Sequence, residues 1–164
     1  MKFSDNGIKL LKRLEGRVKN GDRHVIYDDK SSKMVNIDDT LPRGATIGYG
    51  HLIKSGEDFR NGISESKATD LLRQDIVSVE RVVQRCIKSP LNQNQYDALV
   101  LLAYNIGGDN FMQSTVVKYI NNPEFRDAKY ATLESAWMAW NKSRGREING
   151  LKHRRAQEWI LFNA

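Results

Sequence analysis

The sequence predicts an α+β protein, with a small β-lobe and a larger α-helical lobe flanking a cleft. Three observations predict it. Residues 4–15 carry apolar side chains at helical spacing, residues 17–62 shift to Gly, Asp, Ser and Lys with short β-favouring pieces, and helical periodicity returns from Ser64 to the end. A length of 164 residues fits one domain. Its expected parts are a first helix at 1–16, the small β-lobe at 17–62 and the helical lobe at 63–164.

Ser4 or Asp5 can cap the first helix, whose stripe is Ile8, Leu10, Leu11 and Leu14, and Gly16 offers a stop. In the β-lobe, Val25-Ile26-Tyr27 and Thr46-Ile47-Gly48-Tyr49 favour strands, with Pro42 and Gly44 marking a turn before the second. Ser64 can cap a helix with the stripe Ala68, Leu71, Leu72, Ile76, Val79, Val83 and Cys86. Asn92 and Gln95 form a capping-box pattern ahead of a helix running from Tyr96 to Ile106. Ala98 to Tyr104 is apolar without a break, the mark of a buried helix, and Gly107-Gly108 stops it. Helices are expected at 114–121, 131–141 and 149–162, the last two carrying Trp137, Trp140 and Trp159.

A formal net charge of +6 favours an anionic partner: nucleic acid, an anionic membrane face or an acidic wall polymer. Lys and Arg are spread along the chain, and neither zinc-finger spacing nor an RNA-recognition aromatic motif is present, which argues against nucleic acid. No run approaches the roughly 20 apolar residues that span a bilayer. The start, Met1-Lys2-Phe3-Ser4-Asp5, lacks the apolar region of a signal peptide. Cys86 is the single cysteine, so no intramolecular disulfide forms, and its helical setting suggests a buried, inert thiol.

Three places could carry chemistry. Glu15 ends the first helix beside Leu14, where a carboxyl can be partly desolvated as a general acid requires, although a glutamate there is more commonly solvated. Asp28 and Asp29 supply the second carboxylate that glycoside hydrolysis needs, against the reading of an acidic surface turn. In Thr46-Ile47-Gly48-Tyr49-Gly50-His51 the alternate glycines admit a ligand or a backbone closely and the threonine hydroxyl can hold a water; a Gly-rich hairpin competes.

Taken together, Glu15-Gly16, Tyr27-Asp28-Asp29 and Thr46-Ile47-Gly48-Tyr49-Gly50-His51-Leu52 resemble the catalytic region of the phage-type (T4-like) lysozymes, the endolysin family of peptidoglycan glycoside hydrolases. The similarity continues through Gly62-Ile63-Ser64, Ala68, Leu71-Leu72, Asp75, Gln95, Ala98-Leu99, Asn105, Gly107, Phe111, Ser114-Thr115, Gly150-Leu151, Arg154-Arg155 and Glu158. The resemblance implies a lysozyme-like fold and a muramidase that cuts between N-acetylmuramic acid and N-acetylglucosamine with inversion, without metal or cofactor. It implies Glu15 as general acid, Asp29 as the residue that positions or activates water, Thr46 as its helper, and Tyr104 and Asn105 as sugar contacts. For Asn105 the reading of a plain helix-end residue stands beside that one. A pair between His51 and Asp75 is also implied.

Residues 30–45 look like an insertion relative to the family, which lengthens the hairpin or forms a loop over the cleft and leaves Asp28, Asp38 and Asp39 as alternatives to Asp29. Tyr49 can stack on sugar or, more commonly, pack the sheet. Arg154-Arg155 reads as a solvated helix face available to acidic peptide stems. The expected partner is bacterial peptidoglycan, met by a monomer made in the cytoplasm and released to the periplasmic wall by a holin or another secretion route, with no nucleic acid and no stable membrane insertion. The rival readings are a lysozyme-fold antibacterial toxin or effector domain, a basic nucleic-acid-binding protein, and a non-catalytic wall-binding module, which would need neither Glu15 nor Thr46.

Overall fold

The computed structural model describes all residues 1–164 and divides them into two compact units. One comprises 11–75, the other 1–10 with 76–164, and the chain passes between them within its first two helices. Helix α1 (Asp5–Leu14) is capped by Ser4, whose hydroxyl accepts the Gly7 N–H at 3.0 Å while its carbonyl takes the Ile8 N–H. Ile8, Leu10 and Leu11 of the expected stripe are buried and Leu14 is half-buried.

Within 11–75, strands β1 (Lys19–Asn20) and β2 (Arg23–His24) make a hairpin. Strands β3 (Tyr27–Asp28), β4 (Ala45–Ile47) and β5 (His51–Leu52) form an antiparallel sheet in that order, with Tyr27 opposite Thr46 and Ile47 opposite His51. The strand expected over 46–49 ends at Ile47, and Gly48 to Gly50 form the turn into β5. Gly48 has φ 65°, and a Cβ there would lie 3.3 Å from the Ala68 Cβ of helix α2 (Glu65–Cys86). The close approach that this glycine permits is made by a helix of the same unit.

Residues 30–45 do not hang free. Lys33 and Val35 bond back to β3 through Asp28 N–H to Lys33 O and Val35 N–H to Ile26 O, both 2.9 Å, so the segment extends the hairpin along the outer side of β3. Arg60 Nη1 donates to the carbonyls of Ile37 and Asp39 at 2.5 and 2.9 Å.

In the other unit, α3 (Gln93–Ile106) carries the expected capping box, Asn92 with Gln95, and every residue from Tyr96 to Ala103 is buried. Helix α4 (Gly108–Gln113) precedes α5 (Thr115–Asn121), and α6 (Leu133–Met138) is shorter than the expected 131–141. A hairpin, β6 (Lys142–Ser143) with β7 (Arg146–Glu147), interrupts a stretch expected to be wholly helical. Its tip, Arg144 and Gly145, has φ 50° and 77°, and two successive left-handed residues suit the right-handed twist of a two-residue hairpin. Helix α7 (Asn149–Phe162) packs on α3, and its Trp159 and Phe162 enclose the fully buried Trp137 at ring distances of 5.7 and 5.3 Å. Cys86 is half-buried rather than buried. No helix is long and apolar enough to cross a membrane.

Gly62 has φ 71°, and a Cβ there would stand 2.7 Å from the His24 carbonyl, which accepts the Ile63 N–H at 2.9 Å. Gly62→Ala is expected to cost about 2 kcal/mol or more in urea unfolding. Gly150→Ala, where the added Cβ meets nothing within 4 Å beyond its own helix neighbours, should leave stability unchanged or raise it by up to about 1 kcal/mol.

Candidate active site

The candidate site in the unit of residues 11–75 is built around Tyr27. This side chain is buried on β3, and its phenol is pushed up to about 12 by burial first, then by the negative charges of Asp29 and Glu15. Two carboxylates from separate segments therefore bear on one hydroxyl. Glu15 follows the last residue of α1, its N–H continues the helical ladder to the Leu11 carbonyl at 2.8 Å, and it is half-buried. Asp29 follows β3 and is exposed.

Thr46, opposite Tyr27 on β4, is 3% exposed. Its hydroxyl donates to the Gly44 carbonyl at 2.9 Å, and the Asp29 N–H donates to the same carbonyl at 3.3 Å. One peptide oxygen thus holds the Asp29 backbone and the Thr46 side chain together. Because the Thr46 proton is committed, its oxygen is left as an acceptor, which suits a water that donates.

The neighbouring acids are differently engaged. The Asp28 carboxylate accepts from Lys30 N–H at 3.1 Å and Ser31 Oγ at 2.9 Å, and the Lys30 backbone bond, followed by the Ser31 hydroxyl, holds it below the usual carboxylate range. Asp28 builds a turn. Asp39 accepts from the backbone and side-chain nitrogens of Asn36 at 3.3 and 3.1 Å, a local turn as well. Asp38 is exposed in the same segment.

Two buried histidines brace this unit. His51 is 3% exposed, with Nδ1 2.8 Å from Asp75, the expected pair, and Nε2 2.9 Å from Glu57. His24 is fully buried, with Nε2 2.8 Å from Glu65. Glu65 also accepts from Tyr49 Oη at 2.6 Å, Lys12 Nζ at 3.0 Å and Lys19 Nζ at 3.2 Å. Tyr49 is 4% exposed and packs edge-on to His24 at 5.1 Å, so it packs the unit and is not open to stack on sugar.

In the other unit, Tyr104 and Asn105 end α3, half-buried and exposed respectively. Asn105 Oδ1 accepts from Arg155 Nη2 at 2.7 Å. The solvated face expected at Arg154-Arg155 is buried: the two are 5% and 0% exposed, and Glu158 at 0% accepts from both. Burial, the larger influence, raises the Glu158 pKa against the pull of the two guanidinia. The sequence reading missed Tyr27 as a meeting point, Glu65 as a hub and Glu158 as a buried acid. Their partners are distant in sequence, and the one local signal was Glu158 at i+3 and i+4 from two arginines.

A sequence profile of the phage lysozyme family matches residues 23–158, a span that leaves Glu15 outside it. The endolysin of Salmonella phage P22 is 36% identical across 99% of this chain and 98% of its own length. The endolysin of Bacillus phage PZA is 36% identical across the whole chain, which spans only 56% of that protein's length. Among solved structures, the muramidase domain of SpmX from Asticaccaulis excentricus has a TM-score of 0.74 at 28% identity, over 99% of this chain and 98% of that one.

The Glu65 contacts predict a pH effect. Burial raises its pKa, but the four donors, led by Tyr49 and His24, outweigh it and hold the carboxyl well below the usual range. A lowered pKa in the folded state means that the stabilisation is complete above the unfolded glutamate value of about 4.3 and is lost as pH falls below it toward the folded value. Thermal unfolding of Glu65→Gln against the native sequence should show the widest gap between pH 5 and 7, narrowing below about pH 4.

Proposed function

The chain belongs to the phage lysozyme family, and on that premise we propose that it is a muramidase that hydrolyses the β-1,4 bond between N-acetylmuramic acid and N-acetylglucosamine in bacterial peptidoglycan. What carries this reading is the pair of carboxylates, Glu15 and Asp29, bearing on Tyr27 with Thr46 directly across the sheet. Glu15 gives its proton to the glycosidic oxygen. Water enters from the opposite face of the sugar, donating one hydrogen bond to Thr46 Oγ1 and the other to Asp29, which takes the proton as the C–O bond breaks. The bond to water forms as the leaving oxygen is protonated, so the anomeric configuration inverts. Inversion needs carboxyl groups about 6.5–9.5 Å apart to admit the water.

Asp29 is chosen over Asp28 because the Asp28 oxygens already take two donors of their own turn, whereas the Asp29 side chain is exposed and its backbone is tied to the carbonyl that Thr46 uses. The net charge of +6 suits an acidic wall polymer. The enzyme works as a monomer and is an endolysin reaching the wall after release from the cytoplasm; a toxin or effector domain would use the same chemistry.

Digestion of purified peptidoglycan followed by mass spectrometry should yield new reducing ends, and NMR of the first product should show the inverted anomer. Anhydro ends would indicate a lytic transglycosylase instead, and binding without products a wall-binding module. Glu15→Gln should fold normally and lose at least about 10²-fold in turnover; activity within about tenfold of the native sequence would remove Glu15 from its role. Asp29→Asn should lose most activity while Asp28→Asn retains most of it. The reverse ranking would move the base to Asp28, and tolerance of both changes would move it into residues 30–45.

A further inference from the structure

The pair Asn-Gly occurs four times in the chain, at 6–7, 20–21, 61–62 and 149–150. Such a pair can modify itself. The glycine nitrogen attacks the side-chain carbonyl carbon of the asparagine, and glycine adds neither bulk nor backbone restraint to hinder it. The reaction needs an asparagine amide open to solvent, a following N–H without a hydrogen bond, and a backbone free to turn about the asparagine ψ. By these needs the fold separates four pairs that are chemically equal.

Asn6 lies in the first turn of α1, and the N–H of the buried Gly7 donates to Ser4 Oγ at 3.0 Å. Asn61 is exposed, but the Gly62 N–H donates to the Phe59 carbonyl at 2.8 Å. Arg23 pins the same turn, from Nε to the Asn61 carbonyl at 3.1 Å and from Nη2 to the Gly62 carbonyl at 2.7 Å. Asn149 opens α7, and turning its backbone would undo the first turn of a helix of 14 residues. Asn20 differs from all three. It is exposed at the end of β1, and neither its side-chain amide nor the Gly21 N–H is hydrogen-bonded. Gly21 is exposed with φ 61°, and a Cβ on it would meet nothing within 4 Å. The anchors of this hairpin, Lys19 and His24 on Glu65, act at the pair behind Asn20 and Arg23. Asn20 can therefore leave the ladder without disturbing them, since so short a hairpin gains little from its own pairing.

We infer that Asn20-Gly21 is a self-modification site of the folded protein, with water as its co-reactant, and that its conversion loosens the frame held by Glu65. The Gly21 nitrogen, its proton taken by solvent base, bonds to Asn20 Cγ. The Cγ–Nδ2 bond breaks, and ammonia leaves with a proton returned by water. Water then adds to the five-membered imide and breaks one of its two C–N bonds. Opening at Cγ gives aspartate; opening at the main-chain carbonyl gives isoaspartate, with the chain rerouted through Cβ. Either product sets a new carboxylate next in sequence to Lys19, whose ammonium serves Glu65 at 3.2 Å. Isoaspartate also lengthens the main chain by one atom at the pair that Asn20 makes with Arg23.

The test ages the full chain in mildly alkaline buffer, once folded and once in urea. Peptide mass spectrometry follows the conversion at each asparagine, and enzymatic methylation of isoaspartate identifies the product. In urea the four sites should react at comparable rates, because the dipeptide is the same. In the folded chain Asn20 should stay within about tenfold of its urea rate, while Asn6, Asn61 and Asn149 should each slow by about a hundredfold or more. Protection of Asn20 equal to that of any other site, or another site leading in the folded chain, overturns the assignment. The effect on the frame is read by thermal unfolding. The native protein should melt progressively lower as isoaspartate accumulates at residue 20. Asn20→Gln, whose longer side chain closes the ring far more slowly, should hold its melting temperature through the same ageing. A native melting temperature that stays constant while residue 20 converts, or one that falls equally in Asn20→Gln, overturns the claim on the frame.

Discussion

Glu65 stands in the first turn of α2 and takes hydrogen bonds from four places in its unit: Lys12 in α1, Lys19 in β1, His24 in β2 and Tyr49 in the turn between β4 and β5. The strands it ties together are two or three residues long, too short to hold a register by their own ladders. A carboxylate with four partners fixes these segments where backbone pairing is scarce, because an ionised acid accepts at both oxygens and its bonds to charged donors are the stronger kind. The location at a helix N-terminus adds a favourable dipole. The arrangement around Tyr27 is carried on this frame, since β3 follows β2 after two residues and β4 leads into the Tyr49 turn.

On that frame, one backbone oxygen does the work of orientation. Gly44 takes the Asp29 N–H and the Thr46 hydroxyl, so a loop residue and a strand residue are aligned by a group that carries no side chain. Asp28, one residue earlier, spends its carboxylate on the turn that follows. Two adjacent acids thereby differ in character without any difference in residue type. One is consumed by local structure and the other is left available for a ligand.

Local signals in the sequence were dependable where the structure they specify is local. Asn92 with Gln95 announced the start of α3, the unbroken run from Ala98 to Tyr104 announced its burial, and residues 149–162 matched α7. The β6–β7 hairpin escaped notice because its left-handed residue Arg144 is not a glycine, leaving Gly145 as the single cue. Arg154 and Arg155 were misread because charge on a helix is usually solvated, and what buries these two lies on α3, near α6 and one turn along α7. The residues proposed for the site rest on family resemblance, with Asp29 drawn from four aspartates. Composition and periodicity alone made Glu15 an ordinary helix-end glutamate, since its influence on Tyr27 depends on the folded chain.

The extra pairing along β3 by residues 33–35 has a consequence for how such a chain can change over time. The β3–β4 register is set by Tyr27 opposite Thr46 and Asp28 opposite Ala45, so the segment between them can vary in length without moving either end. Closing a loop twice as long costs only about 0.6 kcal/mol more. By bonding to the open side of β3, these residues also cover peptide groups that a stray strand from another molecule would otherwise join. The segment is therefore a place where evolution can try new surface chemistry, including the exposed Met34 and Ile37, while the chain keeps its guard against aggregation.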